Sequence, residues 1–263
     1  IHAQAEQLRT IFDVETLAPD AEAQAQLRRT RVLWDSRRTV LSLAGPRTPA
    51  EQAAQIRADL IDLAVVGTEL EARMALPDQA AAAHHRALEW LQEADRELGP
   101  SLALALAVRE HAAALGDAEM ARRAATTIVT LPPHNAREHD LMARSLLRSG
   151  QYAAALAECD RALDLQPASF GPHFARGLCA YRLGRYSEAV GSFTASIALA
   201  PTVAAVYLNR AHAYSALGRA DLARHDREAA LRLDPDIDTH AAQELRPVPP
   251  DLAPSDRRPV RPR

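Results

Sequence analysis

The chain contains no lysine; all 31 of its Lys and Arg residues are arginine. Chemistry that needs a lysine amine is therefore closed to it: the phosphate-binding lysine of a P-loop, the strand lysine of a kinase, a Schiff base. Aromatic residues make up 4% of the chain, and only two cysteines, Cys159 and Cys179, are present. Two thiols cannot build a disulfide framework, which favours a cytoplasmic setting. No apolar run approaches the length of a membrane span; the longest lies near Leu102–Val108. The opening residues, IHAQAEQLRT, lack the apolar core of a secretion signal. The chain begins at Ile1 instead of Met, as expected of a piece of a larger open reading frame.

A large excess of charge of one sign is also missing. The formal net charge is −3, so nothing marks a dedicated nucleic-acid binder. No Gly-rich phosphate loop, nucleophile elbow or HExxH motif occurs. His84 and His85 are adjacent on a helix, point about 100° apart and do not converge on a metal. Arg224-His225-Asp226 has the composition of a kinase catalytic loop, but it is permuted, lies within a helix and lacks the following Asn. No catalytic residue, cofactor or metal ligand is expected.

What the chain does have is a period. Gly116, Gly150, Gly184 and Gly218 are spaced 34 residues apart, as are Pro133, Pro167, Pro201 and Pro235. Ala121, Ala155, Ala189 and Ala223 keep the same step, and so do Leu131, Leu165, Leu199 and Leu233. Such self-similarity signals a repeat architecture. Each unit reads as two helices. Glycine occupies the left-handed turn after the first helix, and proline marks where the second must end. The units run 102–135, 136–169, 170–203 and 204–237. Small residues (Ala143, Gly177 and Ala211 on first helices, the periodic alanines on second helices) let the pair approach closely. The first unit departs from this, with Arg109 where a small residue is expected and Ala125 where a bulky one is, so it is expected to be looser or kinked.

Upstream, AAAAHHRALEWLQEADRELGP keeps the phase of a second helix through Ala87, Leu91 and Ala94. Residues 49–75 are predicted to form one long helix, opened by Thr48-Pro49-Ala50-Glu51 as a capping box with proline at the first helical position. An earlier helix is predicted over 20–43, closed by Gly45-Pro46. Residues 1–48 thus form a helical connector, and 49–101 a long helix with a divergent hairpin. After a short helix from 238, the tail to 263 is rich in Pro and Arg, including Arg257, Arg258, Arg261 and Arg263, and is predicted to be disordered.

The repeat resembles the tetratricopeptide (TPR) pattern, most fully in GLCAYRLGRYSEAVGSFTASIALAP. The resemblance implies an all-α solenoid whose first helices line a concave surface. Residues expected on that surface are Arg137, Asp140, Arg144, Arg148, Phe174, Tyr181, Arg182, Asn209 and His212. Arginines beside aromatics suit an extended or helical peptide with acidic and apolar residues; self-association is the other expected use. Chaperone-binding TPR domains grip a C-terminal carboxylate with Lys, Asn and Arg. The matching positions are Asp140, Arg144, Ala175, Ala205 and Asn209. Only Arg144 and Asn209 have suitable chemistry, so no such clamp is expected. Cys159 and Cys179 are expected to be small buried hydrophobes.

Three stretches resemble a narrower group, the helical tails that follow the catalytic domain in several bacterial serine/threonine protein kinases and end in TPR repeats. They are LWDSRRTVLSL, RADLIDLAVVGTELEARMALP, and SFGPHFARGLCAYRLGRYSEAV followed by YLNRAHAYSALGRADLARHDREAALRLDP. This resemblance implies a regulatory or substrate-docking module of such a kinase. No kinase motif lies in the chain itself.

Overall fold

Four glycines with positive φ set the architecture. Gly116, Gly150, Gly184 and Gly218 have φ between 72° and 75°, a region that only glycine enters without strain. At each, the amide of the following residue closes the same helix-ending bond: Asp117 N to Ala112 O, Gln151 N to Leu146 O, Arg185 N to Ala180 O and Arg219 N to Tyr214 O, at 2.8–2.9 Å. This is the Schellman arrangement, which satisfies a terminal carbonyl and reverses the chain within a few residues. A second helix follows each turn, and the periodic prolines lie just beyond its end.

The computed structural model describes residues 20–44 and 48–237. Gly45-Pro46 and the predicted short helix and tail from 238 lie outside the described residues, as does all of the connector before residue 20. Among the described residues every regular element is a helix, as the all-α reading requires. They are α1 (Asp20–Asp35), α2 (Arg37–Leu43), α3 (Ala50–Arg73), α4 (Ala80–Leu98), α5 (Leu102–Ala114), α6 (Ala118–Thr130), α7 (Ala136–Arg148), α8 (Tyr152–Leu165), α9 (Phe170–Arg182), α10 (Tyr186–Leu199), α11 (Ala204–Ala216) and α12 (Ala220–Leu233). The chain divides into two compact units, one through His134 and one from Asn135.

In the first unit, α3 is central. It packs against α1, α4 and α5, and every residue from Asp59 to Thr68 is buried. A helix enclosed on all sides must be apolar nearly all round, which the run LIDLAVVG supplies. The predicted phase of α4 holds, with Ala87, Leu91 and Ala94 fully buried. The rings of Trp34 and Trp90 meet at 5.8 Å. Buried Arg37 lies 4.4 Å from the Trp34 ring centroid and donates from Nε to Glu97 at 2.7 Å, with a further bond to Glu93. Burial pushes the Glu97 carboxyl upward, but the guanidiniums of Arg37 and Arg38 outweigh it and hold it below the usual carboxylate range.

Two local expectations are corrected here. The helix predicted over 20–43 divides at Ser36 into α1 and α2, although Ser36 keeps right-handed helical backbone (φ −82°, ψ −4°) and the bonds Ser36 N to Val32 O at 3.3 Å and Val40 N to Ser36 O at 3.2 Å run through it. Pro49 is the cap residue of α3, not its first helical residue. It has φ −53° and ψ 140°, its carbonyl accepts from Ala53 N, and no side chain caps the helix. Proline offers no side-chain acceptor, so the capping box predicted at Thr48 does not form.

The hairpin α5–α6 runs unbroken, 13 residues in each helix. It closes less tightly than the later ones: Ala121 is half-buried, whereas Ala155 and Ala189 are fully buried. The second unit stacks three hairpins, α7–α8, α9–α10 and α11–α12, each second helix packing on the next first helix. This is solenoid packing, in which neighbours complete each other's core. Ala143, Ala155, Cys159, Cys179, Ala189 and Phe193 are fully buried within it, and Ile237 closes its last hairpin.

Candidate functional site

The first helices of the second unit, α7, α9 and α11, carry all nine residues predicted to line a binding surface. Asn135 starts α7 with a side-chain cap, its Oδ1 accepting from Glu138 N at 2.9 Å, which fixes where Arg137 and Asp140 fall on the first turns. The nine separate into two groups. Arg148 is exposed, and Arg137, Arg182 and His212 are half-buried. Asp140, Arg144, Phe174, Tyr181 and Asn209 are buried.

Asp140, Arg144, Phe174 and Tyr181 are each held by their own neighbourhood. Arg144 Nε donates to Asp140 Oδ2 at 3.0 Å along α7, a pair closed off from solvent on both sides. Asp140 Oδ1 is a buried acceptor with no hydrogen-bond partner among the described residues. Phe174 stacks on Phe170 at 5.8 Å and tilts against Phe193 at 6.0 Å. Tyr181 meets Tyr186 edge-on at 5.3 Å, and burial is the main cause that pushes its phenol above the ordinary tyrosine range. The aromatics foreseen as ligand contacts thus serve the hairpin 170–203 itself. Of the carboxylate-clamp positions, Ala175, Ala205 and Asn209 are also buried, and Arg144 is committed to Asp140. Of the nine, Arg148, Arg137, Arg182 and His212 keep contact with solvent.

Sequence reasoning missed a second set of functional-looking side chains, which turn out to bind the repeats together. Arg176 on α9 donates from Nε to Asp160 of α8 at 2.7 Å and from Nη1 to Ser192 of α10 at 2.9 Å. Arg210 on α11 donates from Nη1 to Thr194 of α10 at 3.0 Å, and from Nε and Nη2 to Asp226 of α12 at 2.7 and 2.8 Å. Each arginine spans two second helices. The signal was available, since Arg176 and Arg210 are themselves 34 residues apart.

Both cysteines are free and buried. A hydrogen bond with Cys179, together with burial, drives the Cys159 thiol far above the usual range, so it is inert as a nucleophile. Among the described residues no group of three or more His, Cys, Asp or Glu is placed to hold a metal ion, and no helix is long and apolar enough to cross a membrane.

Comparison with known proteins agrees with this geometry. Residues 141–204 match one family model described as tetratricopeptide repeat, and residues 204–237 match a second of the same description. The second unit therefore carries TPR repeats. Among solved structures, MamA AMB-1 in its P212121 crystal form is 19% identical with a TM-score of 0.50, covering 66% of this chain and 96% of that one. MamA MSR-1 is 18% identical with a TM-score of 0.48, covering 68% and 97%. YrrB, described as a TPR protein with an unusual peptide-binding site, is 17% identical with a TM-score of 0.47, covering 70% and 91%. The MamA AMB-1 likeness shows the fold. No curated protein sequence matches the chain.

Proposed function

We propose that this chain is a non-catalytic protein-interaction scaffold whose second unit binds an acidic, partly apolar peptide along the rim formed by Arg137, Arg148 and Arg182, with His212 beside it. The observation that supports this reading is the stack of TPR hairpins in residues 136–237, whose successive first helices carry these arginines. A guanidinium binds carboxylates in a two-pronged geometry that a lysine ammonium lacks. The structure selects which arginines to test. Arg144 is buried against Asp140, so reversing its charge would set two carboxylates together in the interior and destroy the fold instead of the surface.

The test is to pan a random-peptide library on the immobilised protein and measure the selected peptides by fluorescence anisotropy. Hits are expected to be enriched in Asp, Glu and apolar residues. The double variant Arg148→Glu, Arg182→Glu should bind them at least about tenfold more weakly, roughly 1.4 kcal/mol or more. Peptides that bind the double variant as well as the parent would sink the proposal, as would a library that yields no binder.

For the parent context, the three stretches that resemble kinase tails support placing the module as the regulatory or substrate-docking region of a bacterial serine/threonine protein kinase acting in the cytoplasm. The genomic sequence upstream of Ile1 tests this directly. A kinase catalytic domain in frame supports the reading, and an unrelated sequence or a start codon there removes it.

A further inference from the structure

His84 of α4 and His111 of α5 place their Nδ1 atoms 2.8 Å apart, with ring centroids at 5.1 Å. His111 is buried and His84 half-buried. At that distance one ring must donate its Nδ1–H and the other must present a bare lone pair. The contact therefore survives in the neutral pair and in the pair with one imidazolium, and fails only when both rings are protonated. When both rings are imidazolium, two N–H donors with like charge face each other across 2.8 Å with no acceptor between them, an arrangement that partly buried groups cannot sustain.

We propose that this pair is a proton-counting latch: it holds α4 against the first TPR-like hairpin while at least one of the two Nδ1 atoms keeps its lone pair, and releases it when both imidazoles are protonated. Neither residue belongs to the peptide-binding reading of the second unit, so the latch stands apart from it.

Charged and titratable groups close to the pair along these helices, and at the end of α3, are these. On α4 they are His85 and Arg86. At the end of α3 they are Glu69, Glu71 and Arg73, with Glu71 bound by both Arg86 and Arg31. On α5 they are Arg109 and Glu110. On the adjoining α6, Asp117 caps the helix through Met120 N and Glu119 pairs with Arg123. Burial first, and then the charge of His85, lowers the His84 pKa below the histidine norm. The sign follows. The unfolded chain binds more protons at this site than the folded one, so stability from the contact is present above about pH 6.5 and is lost as the pH falls through the lower folded value.

The latch is testable by hydrogen exchange of the whole chain from about pH 8 to about pH 5, corrected for the intrinsic pH dependence of exchange. In the parent protein, amides of the first turns of α4 and the last turns of α5 should lose protection as the pH falls, by up to about tenfold per pH unit for one additional bound proton. In His84→Phe the same segments should show no such dependence. An imidazole titration of the parent by NMR gives a readout that survives if the variant does not fold: protection should be lost only where both rings are doubly protonated. Equal pH profiles in parent and variant overturn the proposal, and so do two rings that both become doubly protonated with protection unchanged.

Discussion

Two glycines of one hairpin should answer the same substitution with opposite signs. A Cβ on Gly177 of α9 would lie 2.5–3.0 Å from three ring atoms of Phe193. That ring is fully buried and already tilted against Phe174, so it has nowhere to go. Gly177→Ala is expected to cost about 1–3 kcal/mol by overpacking. A Cβ on Gly191 of α10 meets nothing within 4 Å, and Gly191→Ala should gain about 0.5–1 kcal/mol by limiting the unfolded chain and favouring the helix. Urea unfolding of the two variants checks both signs, and equal shifts would show that the helix crossing is not as tight as drawn. The periodicity identified Gly177 as a crossing point, because a small residue recurs there at Ala143 and Ala211. It could not identify the fate of Phe174 and Tyr181. Helical spacing places both on the first-helix face, and their burial depends on ring contacts with Phe170, Phe193 and Tyr186 that spacing does not encode.

At the scale of elements, the arginine clips show a freedom that the repeat permits. Around Arg176 the carboxylate comes from the preceding hairpin (Asp160) and the hydroxyl from its own hairpin (Ser192). Around Arg210 the roles are exchanged: Thr194 of the preceding hairpin supplies the hydroxyl and Asp226 the carboxylate. The helices present the same two positions to each arginine, so chemistry at either side should suffice. Asp226→Ser is expected to cost about 2–4 kcal/mol, since Asp226 is buried and its loss strands the guanidinium. Adding Thr194→Asp to that variant should recover most of the loss, and a double variant no more stable than the single would refute the equivalence. The helices that these clips join were legible because glycine and proline punctuate each repeat. The break at Ser36 and the cap at Pro49 were not. Each turns on the backbone of a single residue, Ser36 in the first case and Pro49 with its ψ of 140° in the second, and the apolar pattern on either side reads the same both ways.

On the scale of the molecule, the division at His134/Asn135 makes a prediction that the 34-residue period alone does not. By period, four repeats are equivalent; by packing, the hairpin α5–α6 closes with α3 and α4, and the other three share one core. In a stacked array, stability is approximately a sum of repeat terms and nearest-neighbour interfaces, and about three repeats are needed before the sum turns favourable. The second unit meets that requirement by itself, and Asn135 brings its own cap to α7. Residues 135–263 expressed alone should therefore be helical by circular dichroism and unfold in one cooperative transition. Residues 170–263 keep only two hairpins, lose the α8–α9 interface and with it the Asp160 partner of Arg176. Their transition should be broad and shifted to markedly lower temperature. If the shorter piece melted like the longer one, the hairpins would be stable singly and the shared interior would not be what holds the stack together. If the longer piece failed to fold, the core of the second unit would be insufficient without the rest of the chain.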